Sequence, residues 1–504
     1  MDIYLQKIRL VNFKIFEDEI ICCNKEMNIF VGDNGSGKSS ILQALDMVLC
    51  GSVTRVETIG LENLLNANVI LKWMEHPTLE SLPIMRVELF FEMPDTPRTS
   101  RYNGEKYLDG CNRPLFGIKM ICAPNQDFEA DILACIREKK AIEFPFEFYK
   151  TSFTTFSDEG YSGYIKPCKS LYIDNTAINT ARALRYVVDR TYKNAVENNN
   201  RLSAQYDFRQ HIANFSLPQS AVDKNLTVTG DLESYLDIKE NGIRLLNQGE
   251  GRISVCKTDS ALDKNVDDIS ILSIEEPENH LSHYNLKRLI SKIKERAPDR
   301  QIFIVTHSSY ITSRLGLRNA FFVNGKIQSL TGLSKETGEF FMKAPNDNLL
   351  QFVLSKKVLL VEGAAEYILM NRFVNTVKGR DADMIGVWIM ALNNLSFRRY
   401  LEVGKILNIK VAAVRDNDGK PQCWYPDLQD EDRKVFSDSS AERHTFEVCL
   451  YNDNKDALDK LFYGCESALN YMLAHKAEAA YKILSSGVKL NVPQYIREAI
   501  EWLM

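Results

Sequence analysis

The sequence holds no uninterrupted apolar stretch long enough to cross a bilayer, which excludes a membrane-spanning helix. Its opening, Met1–Leu10, lacks the apolar core of a secretory signal and alternates apolar with polar residues, the pattern of a first strand. No Cys-x-x-Cys pair occurs among the eleven cysteines, and the adjacent pair Cys22–Cys23 falls in a predicted strand. Scattered thiols of this kind argue against a zinc site and fit a reducing, cytoplasmic setting. A surplus of positive charge is missing too: 62 Lys and Arg stand against 67 Asp and Glu, a net charge of −5. That excludes a wholly basic nucleic-acid coat but leaves room for a basic groove on an acidic protein. Internal repeats and low-complexity tracts are absent, and 45% hydrophobic with 26% charged residues is a globular composition.

What is present is an α/β pattern, twice over. At 504 residues the chain is too long for one ordinary core. Strands are predicted up to Val31, then a helix over Ser39–Leu49, a strand at Val87–Glu92 and helix over Gln126–Lys140 and Ile178–Gln210. Short apolar strands at Ile269–Ile274 and Ile302–Val305 flank a helix over Leu281–Arg296. A second alternation begins near Lys356, with strands at Val358–Val361, Ile385–Met390 and Val411–Val414 and helices at Ala364–Asn375 and Phe397–Leu407. Both runs predict parallel sheets. The Gly-, Ser-, Lys- and Asn-rich stretch Leu330–Asp347 marks a boundary, giving domains 1–345 and 346–504. Residues 95–241 read as an insertion, and 178–240 as its candidate for contacts between copies.

Gly32-Asp33-Asn34-Gly35-Ser36-Gly37-Lys38-Ser39 has the G-x-x-x-x-G-K-[ST] spacing of a phosphate-binding loop, between a predicted strand and a predicted helix. Gly32, Gly35 and Gly37, with Asn34, let successive backbone N–H groups curl around a phosphate. The helix that opens at Lys38, Ser39 and Ser40 points its positive end at the same oxygens. Lys38 is placed for the β- and γ-phosphates of ATP, and Ser39 for Mg²⁺. Downstream, the apolar strand ending in Glu275-Glu276 delivers two carboxylates, Glu275 for the metal and Glu276 for the attacking water. The run Glu275-Glu276-Pro277-Glu278-Asn279-His280-Leu281 sharpens that reading. His307, one helix and one strand later, stands where a side chain touches the γ-phosphate. Asn247-Gln248-Gly249-Glu250-Gly251 precedes the acidic strand and resembles a divergent ABC signature, which implies that its backbone N–H groups, Gly249 among them, meet the γ-phosphate of ATP held by another copy.

Taken in this order, the motifs resemble the heads of ABC ATPases of SMC and RecF-like proteins. Ile8-Arg9-Leu10-Val11-Asn12-Phe13-Lys14-Ile15-Phe16 is similar to their usual opening. The resemblance implies an ABC-type head that binds ATP and Mg²⁺ and works as a homodimer or higher homo-oligomer. No long heptad arms are present, so a full SMC protein is excluded. Glu275 stands where this family usually has Asp.

The second half offers Glu362 at a strand end, Glu366 in the first helical turn beyond it, and Asp416 with Asp418 after a later strand. Four carboxylates at two strand ends suit a hard cation, Mg²⁺ or Mn²⁺. Asp416-Asn417-Asp418-Gly419 alone also reads as a surface turn. Together with Val361-Glu362-Gly363-Ala364-Ala365-Glu366, it resembles a Toprim domain. A Toprim domain behind an ABC head is similar to the OLD (overcoming lysogenization defect) family of ATPase-nucleases, and to effectors of Gabija and retron defence systems. The resemblance implies a metal-dependent DNA endonuclease regulated by ATP, with DNA as substrate. As defence-system partners it implies a helicase, or a reverse transcriptase with its RNA and DNA. It adds Glu447, in Thr445-Phe446-Glu447, as a metal ligand and Lys489 as the cation that steadies the phosphate. Glu362 is either a ligand or the base. Arg398, Arg399, Lys405 and Lys410 suit phosphate contacts or a solvated helix face. The competing reading is a RecF-like DNA-binding ATPase in repair or recombination, without nuclease activity.

Overall fold

The computed structural model describes residues 3–104, 115–137, 144–162, 166–175, 192, 196–197, 200–201, 203–204, 206–208, 210, 239–240, 243–244, 250–262, 269–343, 348–392 and 396–504. The chain divides into two compact units, 1–315 with 319–327, and 316–318 with 328–504. Most of 178–240, expected to mediate contacts between copies, and Asn247–Gly249 lie outside the described residues.

The first unit opens with an antiparallel sheet. Strand β1 (Tyr4–Phe13) pairs with β2 (Phe16–Cys22) on one side and β4 (Met85–Glu92) on the other. Then come β5 (Leu115–Pro124) and β6 (Tyr149–Thr155). A parallel sheet lies in the same unit, ordered β10-β3-β9-β8-β7. Its strands are β3 (Met27–Gly32), β7 (Ser170–Asp174), β8 (Ile271–Glu275), β9 (Gln301–Val305) and β10 (Ala320–Val323). Strands β3, β8, β9 and β10 are buried along their whole length, as near-continuous apolar runs in a covered parallel sheet must be. Helix α1 (Lys38–Cys50) buries Ile41, Leu42, Leu45, Met47 and Val48 in one core with residues of both sheets. Gln301 ties the sheets together: its carboxamide pairs with both backbone groups of Leu5 at 2.8 Å and donates to the Asn24 carbonyl at 2.8 Å.

The stretch 95–241, expected as an insertion, supplies β5 and β6 to the antiparallel sheet and β7 to the parallel one. Strand β7 is short, and its polar ends hide it beside the stronger apolar strands. Helix α2 (Glu250–Ala261) leads into β8, and α3 (His283–Arg296) connects β8 to β9.

The second unit is built on four parallel strands in the order β12-β11-β13-β14, where β11 is Lys357–Val361, β12 Val387–Ala391, β13 Lys410–Val414 and β14 Arg433–Phe436. Helices α4 (Ala364–Lys378), α5 (Phe397–Leu407), α6 (Phe446–Asp453), α7 (Lys476–Ser486) and α8 (Gln494–Leu503) follow in the chain. Chain order reverses between β11 and β13, and a strand pair of this kind leaves a crevice beyond its C-terminal ends.

The division at 345/346 expected from composition falls inside this second unit. Residues 328–343 belong to it because Ser334 and Thr337 bind Glu402 of α5. Ser334 N–H donates to Glu402 Oε1 at 2.6 Å and its hydroxyl to Oε2 at 3.0 Å, while Thr337 Oγ1 also donates to Oε2. Phe341 meets the buried ring of Tyr400 edge-on. Glu402→Ala would strand these donors and is expected to destabilise the second unit by about 1–3 kcal/mol; chemical denaturation followed by circular dichroism measures it.

Candidate functional site

Two groups of functional side chains form, one in each unit. In the first, the loop after β3 turns on Gly35 (φ +75°) and Gly37 (φ +100°). A Cβ on Gly32 would lie 2.2 Å from the Val323 carbonyl oxygen. Gly32→Ala must therefore shift β10 or the loop, and is expected to cost about 1–3 kcal/mol and to abolish ATP binding; a fluorescent-nucleotide titration reads the second effect. Lys38 is almost wholly buried, its ammonium donating to the carbonyls of Gly32 at 3.0 Å and Asp33 at 2.7 Å. Burial lowers its pKa, opposed by the carboxylates of Glu276, Asp33 and Glu275. Ser36 Oγ is buried with no partner among the described residues. Ser39 is exposed and Ser40 buried, both in the first turn of α1.

Strands β3, β8 and β9 end side by side, so the loop, the paired acids and His307 share one edge. Glu275 is buried, and the Tyr172 hydroxyl of β7 donates to its Oε2. Burial, then the Glu275 charge, raises the Tyr172 pKa, which keeps that proton in place. Glu276 sits at φ +42°, its N–H donating to the Val305 carbonyl at 2.8 Å. Its Oε2 accepts from Asn279 Nδ2 at 2.5 Å and its Oε1 lies 3.7 Å from His307 Nε2. Burial, then the Lys38 charge, lowers the pKa of His307, so the ring is neutral at pH 7. Glu278 Oε1 accepts from Thr306 Oγ1 at 2.6 Å and from the His307 N–H at 2.8 Å, fixing the segment that carries the ring. Gly251 opens α2 against the His280 carbonyl, where a Cβ would stand at 2.1 Å; Gly249 lies outside the described residues.

Lys38, Glu275, Glu276 and His307 come together at this edge, with additions. Tyr172 holds Glu275. Asn175, just past β7, buries both carboxamide atoms without a partner among the described residues while its N–H donates to the Glu275 carbonyl at 3.3 Å. Lys14 is half buried, within electrostatic reach of Glu275. Nothing in the local pattern around Tyr172 or Asn175 marks them; only the pairing of β7 with β8 does. The orphaned Ser36 hydroxyl, the Gly32 cradle and the buried ammonium fit a nucleotide's phosphates. The acids with Asn175 are a hard-oxygen set that fits its magnesium.

In the second unit, β11 and β13 run parallel and adjacent, with Leu360 opposite Ala413, so Glu362 and Asp416 emerge together. Asp416 N–H donates to Glu362 Oε2 at 3.2 Å, and the Phe446 N–H at the start of α6 donates to Asp416 Oδ1 at 2.8 Å. Thr445 caps α6 by accepting from the Val448 N–H at 3.4 Å, which sets Glu447 in its first turn, buried. Burial, then the charges of Glu447 and Glu362, raises Glu366 to about 7. Burial, then Glu366, Glu362 and Glu447, raises Asp416 to about 8. Four carboxylates therefore feel one another. As placed, no three His, Cys, Asp or Glu side chains among the described residues are gathered tightly enough to hold a metal ion. The donor set still fits one: all hard oxygens, with the buried Glu447 Oε2 facing the Lys476 ammonium at 3.1 Å, where a cation's charge would be welcome.

Asp418 and Lys489 are placed differently from the sequence expectation. Asp418 sits at φ +51°, with Oδ2 3.3 Å from Arg415 Nη2, and it is not among the main charges acting on Asp416. Arg415 also donates to the Tyr425 hydroxyl at 3.2 Å and lies 3.6 Å over the Trp424 ring. Asn417, buried between them, donates to the Asp438 and Ser440 carbonyls at 2.8 Å, so the turn is anchored from inside. Lys489 is exposed beyond α7, and the ammonium against the acidic group is that of Lys476. The cations suggested for phosphate contacts have partners within their own unit. Arg398 and Lys405 meet Asp427, Arg399 donates to Thr337 Oγ1, and Lys410 lies over Trp502.

Residues 353–418 match the Toprim domain of overcoming lysogenization defect protein-like proteins. Residues 7–107 match an AAA domain, and 252–313 an AAA domain described as a putative AbiEii toxin of a type IV toxin–antitoxin system. No curated protein matches the sequence. Among solved structures, an SMC head bound to the C-terminal winged-helix domain of ScpA is 16% identical, covering 66% of this chain and 99% of its own at a TM-score of 0.38. The recombination mediator RecF with ATP is 12% identical, covering 65% and 99% at 0.36. The C-terminal region of the Burkholderia pseudomallei OLD protein is 18% identical, covering 30% and 97% at 0.24. Likenesses this distant carry no functional argument, and the reading of both sites rests on their own residues. Among the described residues no helix is long and apolar enough to cross a membrane.

Proposed function

Because the chain is an OLD-type ATPase, an ABC-type head followed by an OLD-like Toprim domain, we propose that it is a metal-dependent DNA endonuclease whose cutting is regulated by ATP. The observation that carries this reading is the convergence of four carboxylates on one edge of the sheet: Asp416 N–H donates to Glu362, the Phe446 N–H at the start of α6 donates to Asp416, and the buried Glu366 and Glu447 lie within electrostatic reach of Asp416. Carboxylates crowd together at such cost where a cation is to be received. A bound divalent cation supplies Lewis acidity toward the phosphodiester and lowers the pKa of water. The chain's own residues do the rest. Glu366, Asp416 and Glu447 hold the cation, and Glu362 holds it or takes the proton of the attacking water. Asp418 joins them by leaving Arg415. Lys476 or Lys489 steadies charge on the phosphate.

In the head, Lys38 leaves the carbonyls of Gly32 and Asp33 for the β- and γ-phosphates of ATP. Ser39 and Glu275 take the Mg²⁺, Glu276 orients the attacking water, and neutral His307 donates toward the γ-phosphate. The segment around Gly249 serves the nucleotide of a second copy, so the working form is a homodimer or larger. The setting is the prokaryotic cytoplasm, in defence against phage with a partner protein.

A labelled DNA duplex incubated with Mn²⁺ or Mg²⁺ tests the reading. Cleavage by the intact chain that disappears in Glu362→Gln supports it, and Lys38→Ala then reports whether nucleotide drives or restrains the cut. Cleavage untouched by Glu362→Gln sinks it. Lys476→Ala beside Lys489→Ala identifies which ammonium serves the phosphate.

A further inference from the structure

The second unit has a groove that neither proposed site uses. It is an open cavity of about 840 Å³ between α4, α7, the turn at Asp383–Ile385 and β12. Large apolar side chains are conspicuously exposed along it and its rim: Tyr367 at 50%, Tyr481 at 61%, Leu484 at 39% and, beside Asp383, Met384 at 79%. Its wall contains the half-buried ring of Trp388.

Charge selects the ligand. Among the described residues Arg372 is the groove's one lining cation, and its guanidinium is turned onto the carbonyls of Ile483, at 3.2 Å, and Val488. Asp381 and Asp383 remain. Asp381 shares Oδ1 with Asn375 Nδ2 at 2.8 Å, which leaves its other oxygen for a ligand. Aromatic faces beside two carboxylates attract a cation and repel a phosphate backbone. Strand β12 is the edge of its sheet, pairing only with β11 among the described residues, and it runs along the same groove. An open strand edge beside side-chain pockets receives an extended peptide.

We propose that this groove docks an extended segment of a protein partner. An arginine or lysine of that segment enters between Asp381, Asp383 and the aromatic rings, and its backbone pairs with the open edge of β12. The test is independent of the nuclease reading because it needs neither metal nor DNA. The full-length chain is titrated, in chelator, with fluorescein-labelled Gly-Ser-Val-Arg-Val-Ser-Gly and with the same peptide carrying Glu for Arg. Saturable binding of the Arg peptide with Kd below about 1 mM, and at least tenfold weaker binding of the Glu peptide, is expected. Asp383→Asn and Asp381→Asn together weaken the Arg peptide at least fivefold while the melting temperature stays unchanged. Equal binding of both peptides, no saturation, or binding of a thymidine oligonucleotide that the same substitutions reduce would each overturn the proposal.

Discussion

Replacing Asp416 with asparagine is expected to make the metal-free chain more stable at pH 8 while abolishing DNA cleavage. Asp416 is pushed up to about 8, and Glu366 to about 7, by burial and by the neighbouring carboxylates. Unfolded, they titrate near 3.8 and 4.5. Between those limits the folded chain holds protons that the unfolded chain has lost, so stability falls as pH rises from about 4 to 8. Asparagine mimics the neutral form and escapes the cost of charging. Allowing for residual exposure and the attraction of Lys476, the gain at pH 8 is about 2 kcal/mol, or about 4–8 °C in melting temperature. At pH 5 the gain shrinks to about a third of that, and below about pH 4 it disappears. Scanning calorimetry in chelator at both pH values measures it, and a variant less stable than the intact chain at pH 8 would contradict it. The same substitution removes a metal ligand, and cleavage is expected to fall by at least ~10³-fold. Stability gained where activity is lost marks a site arranged for its chemistry.

The second large effect concerns the head. Glu276→Gln is expected to slow ATP hydrolysis by about 10²–10³-fold with ATP affinity unchanged within about twofold. Glu276 holds a left-handed backbone conformation that costs about 1–2 kcal/mol for a residue with a Cβ. That conformation is held by its N–H bond to Val305 and by Asn279 on one carboxylate oxygen. The other oxygen faces His307 and is the one free to orient water. Glutamine keeps the shape but not the negative charge. Lys38→Ala, by contrast, removes the phosphate contact and loses binding and turnover together. Equilibrium binding of a fluorescent ATP analogue beside phosphate release separates the two variants; unchanged turnover in Glu276→Gln would place the water elsewhere.

Much of this was legible in the residues. A phosphate loop fixes its own spacing, and buried parallel strands write near-continuous apolar runs, so β3, β8, β9, β11 and β13 with their terminal acids could be read directly. What stayed hidden depends on pairing between distant segments. Tyr172 and Asn175 gain meaning only because β7 lies beside β8, and β7 is too short and polar to announce itself. Resemblance points to Lys489, yet the lysine that meets Glu447 opens a helix after His475, in a stretch without any motif. Asp418 shares the D-x-D spacing with Asp416, but spacing does not say that Arg415, clamped by Trp424, takes it instead. The division between units was displaced by Glu402, whose three bonds to Ser334 and Thr337 no local composition reports.

The most direct test of the central claim is cleavage of supercoiled plasmid by the full-length chain with Mn²⁺ or Mg²⁺, with and without ATP, beside Asp416→Asn. The account predicts nicked and linear product from the intact chain and none from the variant, at equal ATP binding. Equal cleavage by both, or no cleavage by the intact chain under any condition while it binds DNA in an ATP-dependent way, would contradict it and leave a DNA-binding ATPase of the RecF kind.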